Sequence, residues 1–201
     1  MRADARRNLD KIVAAAAAVI SERGLGAPME LIARRAGVGV GTLYRRFPDR
    51  NALIAAVGDH YIGALIDALR AWEQDSPDAW SGLRGFLLWA ADPDRSTLAG
   101  AMAQLPEEVY REGADFAKAR DHWLEMLDAL VRRAQAEGSM RADVGTEDVV
   151  SLLNLFACHI ADLPPPMAAQ PIRFLTLMLD GLQTAAVTPA PTASDDGVRG
   201  E

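Results

Sequence analysis

The sequence predicts an all-α protein, and three observations predict it. Apolar residues recur at helical spacing along nearly the whole chain, sustained period-2 alternation is missing, and Gly and Pro fall between the periodic blocks. The chain has 201 residues and is 50% hydrophobic, enough for a substantial core.

The first helix is predicted over 5–23, with Leu9, Ile12, Val13, Ala16, Val19 and Ile20 on one face. Gly24 suits the left-handed residue that ends it. Pro28 fits the first turn of a second helix, where a missing N–H costs nothing. Leu31, Ile32 and Ala36 give that helix its apolar side, and Gly37 breaks it. A third, short helix is predicted over 40–47 and stops at Pro48. Asp49 is a good N-cap for a long fourth helix reaching about residue 74. Its predicted buried stripe is Leu53, Ile54, Val57, Tyr61, Leu65, Leu69 and Trp72.

Further helices are predicted over 79–91, 95–104, 107–137 (with a break near Gly113), 147–163 and 168–186. The punctuation is Asp92-Pro93-Asp94, Pro106, Gly138-Ser139 and Pro164-Pro165-Pro166, and Thr146 is the expected cap of the helix at 147. Residues 187–201 have almost no apolar content and read as a disordered tail. The domain division expected is 1–50, completed by the start of the fourth helix, then 51–186.

Charge is divided unevenly. Residues 1–50 hold ten Arg/Lys against five Asp/Glu, whereas 51–201 hold eleven against twenty-three. A net +5 segment on a −12 body suggests that one end meets a polyanion. Screening over about 8 Å at physiological salt hides most of the distant acidic body from DNA.

Cys158 stands alone, so neither an intrachain disulfide nor a cysteine metal cluster can form. It reads as a small buried hydrophobe. His60, His122 and His159 lack the spacing of helical metal ligands, and neither a metal nor another cofactor is expected. The apolar run 12–20 is too short to span a bilayer and lacks a following cleavage signal, so no membrane role is expected and the compartment expected is the cytoplasm. No nucleophile–base pairing or phosphate-cradling loop appears, which argues against an enzyme.

Residues 28–50 carry the functional signal. Two short helices meet through a tight turn, with Ala33 small at the crossing, Gly37 permissive in the turn, and Val38 and Leu43 filling the wedge. This is helix-turn-helix logic, in which the second helix enters the major groove. Its exposed positions offer Thr42, Tyr44, Arg45 and Arg46 to phosphate oxygens. A helical hairpin with merely solvated arginines would satisfy the same pattern.

The segments Ile32-Ala33-Arg34-Arg35-Ala36-Gly37-Val38, Gly41-Thr42-Leu43-Tyr44-Arg45-Arg46-Phe47 and Asp49-Arg50-Asn51-Ala52-Leu53-Ile54 closely resemble the DNA-binding domain of the TetR family of transcriptional regulators. The resemblance covers residues 9–66, and Gly138-Ser139-Met140-Arg141-Ala142-Asp143-Val144 is similar to the family's lead into its eighth helix. It implies about nine helices, a homodimer, an operator of double-stranded DNA and a small-molecule effector pocket in the C-terminal half. It also implies base-edge contacts at Val38, Gly39 and Val40 and phosphate contacts at Thr42, Tyr44 and Arg45. Arg50 would lie near the DNA backbone, and Arg6 and Arg7 would form a basic arm. Two departures stand out. Ala27 and Pro28 replace the usual hydroxyl residues, and the recognition helix offers Val and Gly where a polar base reader often stands. Direct readout would then lean on thymine methyls, Arg45 or Arg46, and DNA shape.

For the second half, Phe86, Trp89, Met102, Trp123, Met126, Leu127, Phe156 and His159 are the candidate effector contacts, suited to a hydrophobic or aromatic ligand. Each could equally fill a helical core. Trp72 is expected near the pocket, at the far end of a lever running from the DNA. The last two helices are expected to pair two subunits as a four-helix bundle. The reading expected is a ligand-released homodimeric repressor. The alternative is a small-molecule-binding helical protein with no DNA role.

Overall fold

The computed structural model describes residues 2–105, 109 and 114–184. The expected helix start at 107, its break near Gly113 and the tail from 187 lie outside the described residues. Ten α-helices are found among those residues: α1 (Arg2–Arg23), α2 (Met29–Ala36), α3 (Val40–Arg46), α4 (Arg50–Asp75), α5 (Ala79–Ala90), α6 (Pro93–Ala103), α7 (Ala114–Ala136), α8 (Thr146–Leu153), α9 (Pro165–Ala169) and α10 (Pro171–Leu182). The only extended pairing among the described residues is an isolated bridge between Met140 and Gln183.

The N-terminal punctuation acts as its residue types dictate. Gly24 and Gly37 take φ of +76° and +69°, the left-handed region in which only glycine avoids strain. The Val38 N–H returns to the Ala33 carbonyl at 3.0 Å, closing the turn before α3. Pro28 sits one place outside α2 as its N-cap, without a side-chain hydrogen bond. Asp49 caps α4, its carboxylate accepting from the Ala52 N–H at 2.8 Å. Glu22 and Arg35 tie α1 to α2 through two bonds of 2.8 and 2.9 Å.

α4 has 26 residues, or about 39 Å. It is apolar and long enough to cross a membrane by composition. Its apolar side is used in the core instead, where Leu53, Ile54, Val57, Ile62, Leu65, Ile66 and Leu69 are buried. α4 packs against α1, α5 and α7. The α7 approach is close, because a Cβ on Gly58 would lie 2.9 Å from the Phe116 ring. Trp72 instead lies against the glycine face of α5, where a Cβ on Gly85 would meet its ring. One continuous apolar cluster runs from α1 to α10.

The C-terminal helices differ from expectation. The stretch 147–163 is not one helix. α8 widens into a π-helical turn at Asn154–Cys158 and ends in a 3₁₀ turn at Ile160–Asp162. This is where α6 presses in, since a Cβ on Gly100 would stand 3.0 Å from the Cys158 carbonyl oxygen. The stretch 168–186 also divides. Pro171 cannot continue α9 and pushes Gln170 out of helical geometry, at φ −141° and ψ 55°. Gly145, not Thr146, is the N-cap of α8, and the Asp148 carboxylate accepts from the Gly145 N–H at 2.8 Å. The Thr146 hydroxyl donates to Asp128 at 2.7 Å instead, pinning α8 to α7.

Candidate nucleic-acid interface and effector cavities

α3 is anchored by one residue. Leu43 is fully buried, and the rest of the seven-residue helix is partly or wholly exposed. Val40 and Tyr44 are 36% and 44% exposed, one helical turn apart on the outer face. Arg45 and Arg46 are exposed, and the Arg45 guanidinium donates to the Thr42 hydroxyl at 2.9 Å. Together with Asn8 and Leu9 of α1, Thr42, Arg45 and Arg46 ring a shallow depression. Gly39 precedes α3, and a Cβ there would meet nothing nearer than the Thr42 hydroxyl at 3.9 Å. Val38 is half-buried in the wedge. α3 therefore presents a nearly bare first turn, two arginines, a hydroxyl and a phenol outside the core.

Arg50, expected near the DNA backbone, also makes contacts within the fold. Its guanidinium donates to the carbonyls of Leu25 and Ala27, so it ties the α1–α2 turn to the start of α4. Arg6 and Arg7 lie in the first turns of α1, and their side chains fall outside the described residues.

Two cavities border the middle of α4. The first, of about 290 Å³, is lined by Ala17 and Ser21 of α1, His60, Tyr61, Ala64 and Leu65 of α4, Trp89 of α5, and Arg95 and Leu98 of α6. Arg95 stacks over Trp89 at 4.5 Å and pairs with Asp92 at 3.5 Å. The second, of about 110 Å³, is lined by Tyr61 and Leu65 of α4, Met102 of α6, Phe116, Arg120 and Trp123 of α7, Leu153 of α8, and Asn154 and Cys158 of the π turn. Tyr61 and Leu65 form the wall between the two. Burial raises the Tyr61 phenol well above its usual range and the Cys158 thiol to about 11. The buried Trp123 Nε1–H has no acceptor among the described residues.

Of the candidate effector contacts, Trp89 lines the first cavity, and Met102 and Trp123 line the second. Phe86, Leu127 and Phe156 are fully buried in the core, and Met126 is half-buried against it; none of the four lines either cavity. His159 is a surface residue rather than a core histidine, with Nδ1 3.3 Å from Asp162. The cavities meet α4 at Tyr61 and Leu65, well before Trp72, which lines neither. Tyr61, Arg120, Asn154 and Cys158 were not among the candidates. The pairs Tyr61/Leu65 and Arg120/Trp123 do share helix faces by spacing, which is the only signal for them in the sequence.

Residues 12–57 match the family model described as bacterial regulatory proteins, tetR family, and residues 80–184 match the model described as the C-terminal domain of SbtR-like transcriptional regulators. The chain belongs to the TetR family. A TetR transcriptional regulator of Streptomyces coelicolor, SCO0520, is 37% identical over 89% of this chain and 99% of its own, with a TM-score of 0.67. A TetR regulatory protein of Mycobacterium vanbaalenii is 29% identical over 91% of this chain and 99% of its own, with a TM-score of 0.65. The HTH-type transcriptional regulator YvdT of Bacillus subtilis is 36% identical over 75 residues. That match spans 37% of this chain and 39% of YvdT. This TetR-family chain is a DNA-binding transcriptional regulator, and the family as a whole regulates transcription rather than catalysing reactions.

Proposed function

We propose that this TetR-family chain is a homodimeric repressor that leaves a palindromic operator when a small molecule enters its C-terminal half. The observation that carries the reading is α3, a helix held by Leu43 that turns Val40, Thr42, Tyr44, Arg45 and Arg46 outward. In this reading residues 1–50 and the start of α4 form the DNA-binding domain, and 51–186 bind effector and partner. Val38, Gly39 and Val40 face base edges, while Thr42, Tyr44, Arg45 and Arg46 hold phosphates, with Arg6 and Arg7 as an arm. Arg50 acts by positioning, through the carbonyls it holds.

The dimer face in this proposal is made by α8 with its π turn and by α10. Leu155 and Leu177 are 37% and 54% exposed there, beside half-buried Phe174, Met178 and Leu182. A two-fold axis suits a palindromic site. The effector would act through α4, because its Tyr61–Leu65 turn borders both cavities and the first cavity also touches α1.

The test is selection of bound duplexes from a random library by the full chain at about 0.15 M salt. Enrichment of an inverted repeat, with a sedimenting mass of two chains, is the expected result. A folded protein that enriches no sequence would overturn the reading in favour of a small-molecule-binding protein without a DNA role.

A further inference from the structure

The larger cavity lies where α1 meets α4, α5 and α6. Ser21 of α1, at its edge, shares a hydrogen bond with Thr97 of α6. Among the described residues this is the only side-chain hydrogen bond joining α1–α3 to the helices after α4. Ala17, Leu65 and Ala90 are buried and form the floor, whereas Ala18, His60, Ala64 and Arg95 are exposed and form the mouth. The lining holds one permanent cation, Arg95, and no carboxylate. The Tyr61 phenol, its pKa raised by burial, keeps its proton, and His60 adds no negative charge in either form. Stacking on Trp89 holds the Arg95 guanidinium in place. Among the described residues it reaches Asp92 and the Trp89 carbonyl through Nη1 alone, both at 3.5 Å. Those contacts are long for a charged donor, and they leave the Nη2 and Nε hydrogens to solvent or a ligand.

We infer that this cavity binds an aromatic carboxylate of about two rings, its ring system within the cavity and its carboxylate on the Arg95 guanidinium at the mouth. An engineered cavity of about 150 Å³ holds one benzene ring, so the 290 Å³ here admits two. Four alanines keep the walls back, and Trp89 and Tyr61 are the large flat side chains, which suits a planar ligand. A cation of the same shape would meet the Arg95 charge with no lining carboxylate to offset it. One wall belongs to α1 and another to α5 and α6, so the affinity of an occupant depends on their spacing. That is the differential affinity by which a ligand shifts one arrangement of the helices toward another. The inference rests on the regulator reading for its biological meaning, and names the class of its effector.

The experiment is calorimetric titration of the full chain, without DNA, by 2-naphthoate and by 2-naphthylmethylammonium, a probe of similar shape and opposite charge. The carboxylate is expected to bind at least about fivefold tighter than the cation. Arg95→Gln changes an exposed side chain. It is expected to weaken 2-naphthoate about fivefold, the upper end for a half-exposed ion pair, and to leave the cation no weaker. Ala64→Phe places a ring at the exposed mouth and is expected to abolish 2-naphthoate binding at millimolar concentration with an unchanged melting temperature. Neither probe binding at millimolar concentration, the cation binding as tightly as the carboxylate, or 2-naphthoate affinity unchanged in both variants would each overturn the site. A 2-naphthoate that binds but leaves affinity for the selected duplex unchanged overturns the role as effector. Its binding with failed duplex selection overturns the regulator reading alone.

Discussion

α3 and the Trp123 cavity solve opposite problems. α3 turns its polar groups outward from a single buried anchor, Leu43, and each can be replaced without disturbing a core. Around Trp123 the lining side chains come from α4, α6, α7, α8 and the π turn, and they enclose no space until those elements have packed. A surface that meets a long, regular polyanion can be built from one short helix. A surface that encloses a small molecule needs several elements distant in the chain. The difference teaches where a local motif is sufficient and where only tertiary packing decides.

Mutations at the two anchors should separate these cases most sharply. Leu43 and Leu127 are both fully buried. Either changed to Ala should cost about 2–5 kcal/mol in chemical denaturation, as large-to-small core changes do. Only Leu43→Ala should also release operator DNA under conditions where the chain remains folded, because only it unseats α3. Equal DNA affinity of the two variants would break the comparison. The next effect is on the outer face. Tyr44→Ala and Arg45→Ala should weaken binding to the selected duplex roughly tenfold with unchanged stability, and Arg45→Ala should lower the salt slope by about one phosphate contact. A titration at several salt concentrations checks both.

Arg50→Ala tests the boundary between surface and scaffold. Its guanidinium is held by two carbonyls, so the loss should register as about 1 kcal/mol of stability. Unchanged stability with a reduced salt slope would return it to the phosphate-binding set. The smallest effect concerns Asp59, whose pKa is raised by burial and then by the Asp115 charge. A carboxyl raised in the folded state favours its protonated form, so the stability it contributes is present below about pH 4 and lost as pH rises. Asp59→Asn should therefore raise the melting temperature at pH 7 by about 1–2 °C, with no difference below pH 4. A thermal melt at two pH values decides it.

The sequence was most legible where structure is local. Gly24, Gly37 and Asp49 act through their own backbone or cap geometry, so their roles are visible in residue type and place. The same locality made Leu43 and the arginines of α3 readable. The C-terminal half was harder. Pro171 splits the last expected helix, and its residue type could have warned of that. The π turn at Asn154–Cys158 could not be foreseen, because it occurs where Gly100, more than fifty residues earlier, lets α6 approach. Phe86 and Phe156 carry the same aromatic signal as Trp123, yet both are sealed in the core. Periodicity marks an apolar face without saying whether a neighbour fills it, and no residue type records that an indole N–H will lack an acceptor.

Gly41 sits in the first turn of α3 with nothing within 4 Å of a Cβ placed there. Glycine weakens a helix, so an alanine at this position should gain about 0.5–1 kcal/mol in helix propensity. Larger side chains would enter open space without repacking anything beneath. In the function proposed above, the address this protein reads is therefore rewritable. A library at positions 39 and 41 could install the amide or guanidinium readers that α3 now lacks, and redirect the same scaffold to new operators while its effector half is left untouched.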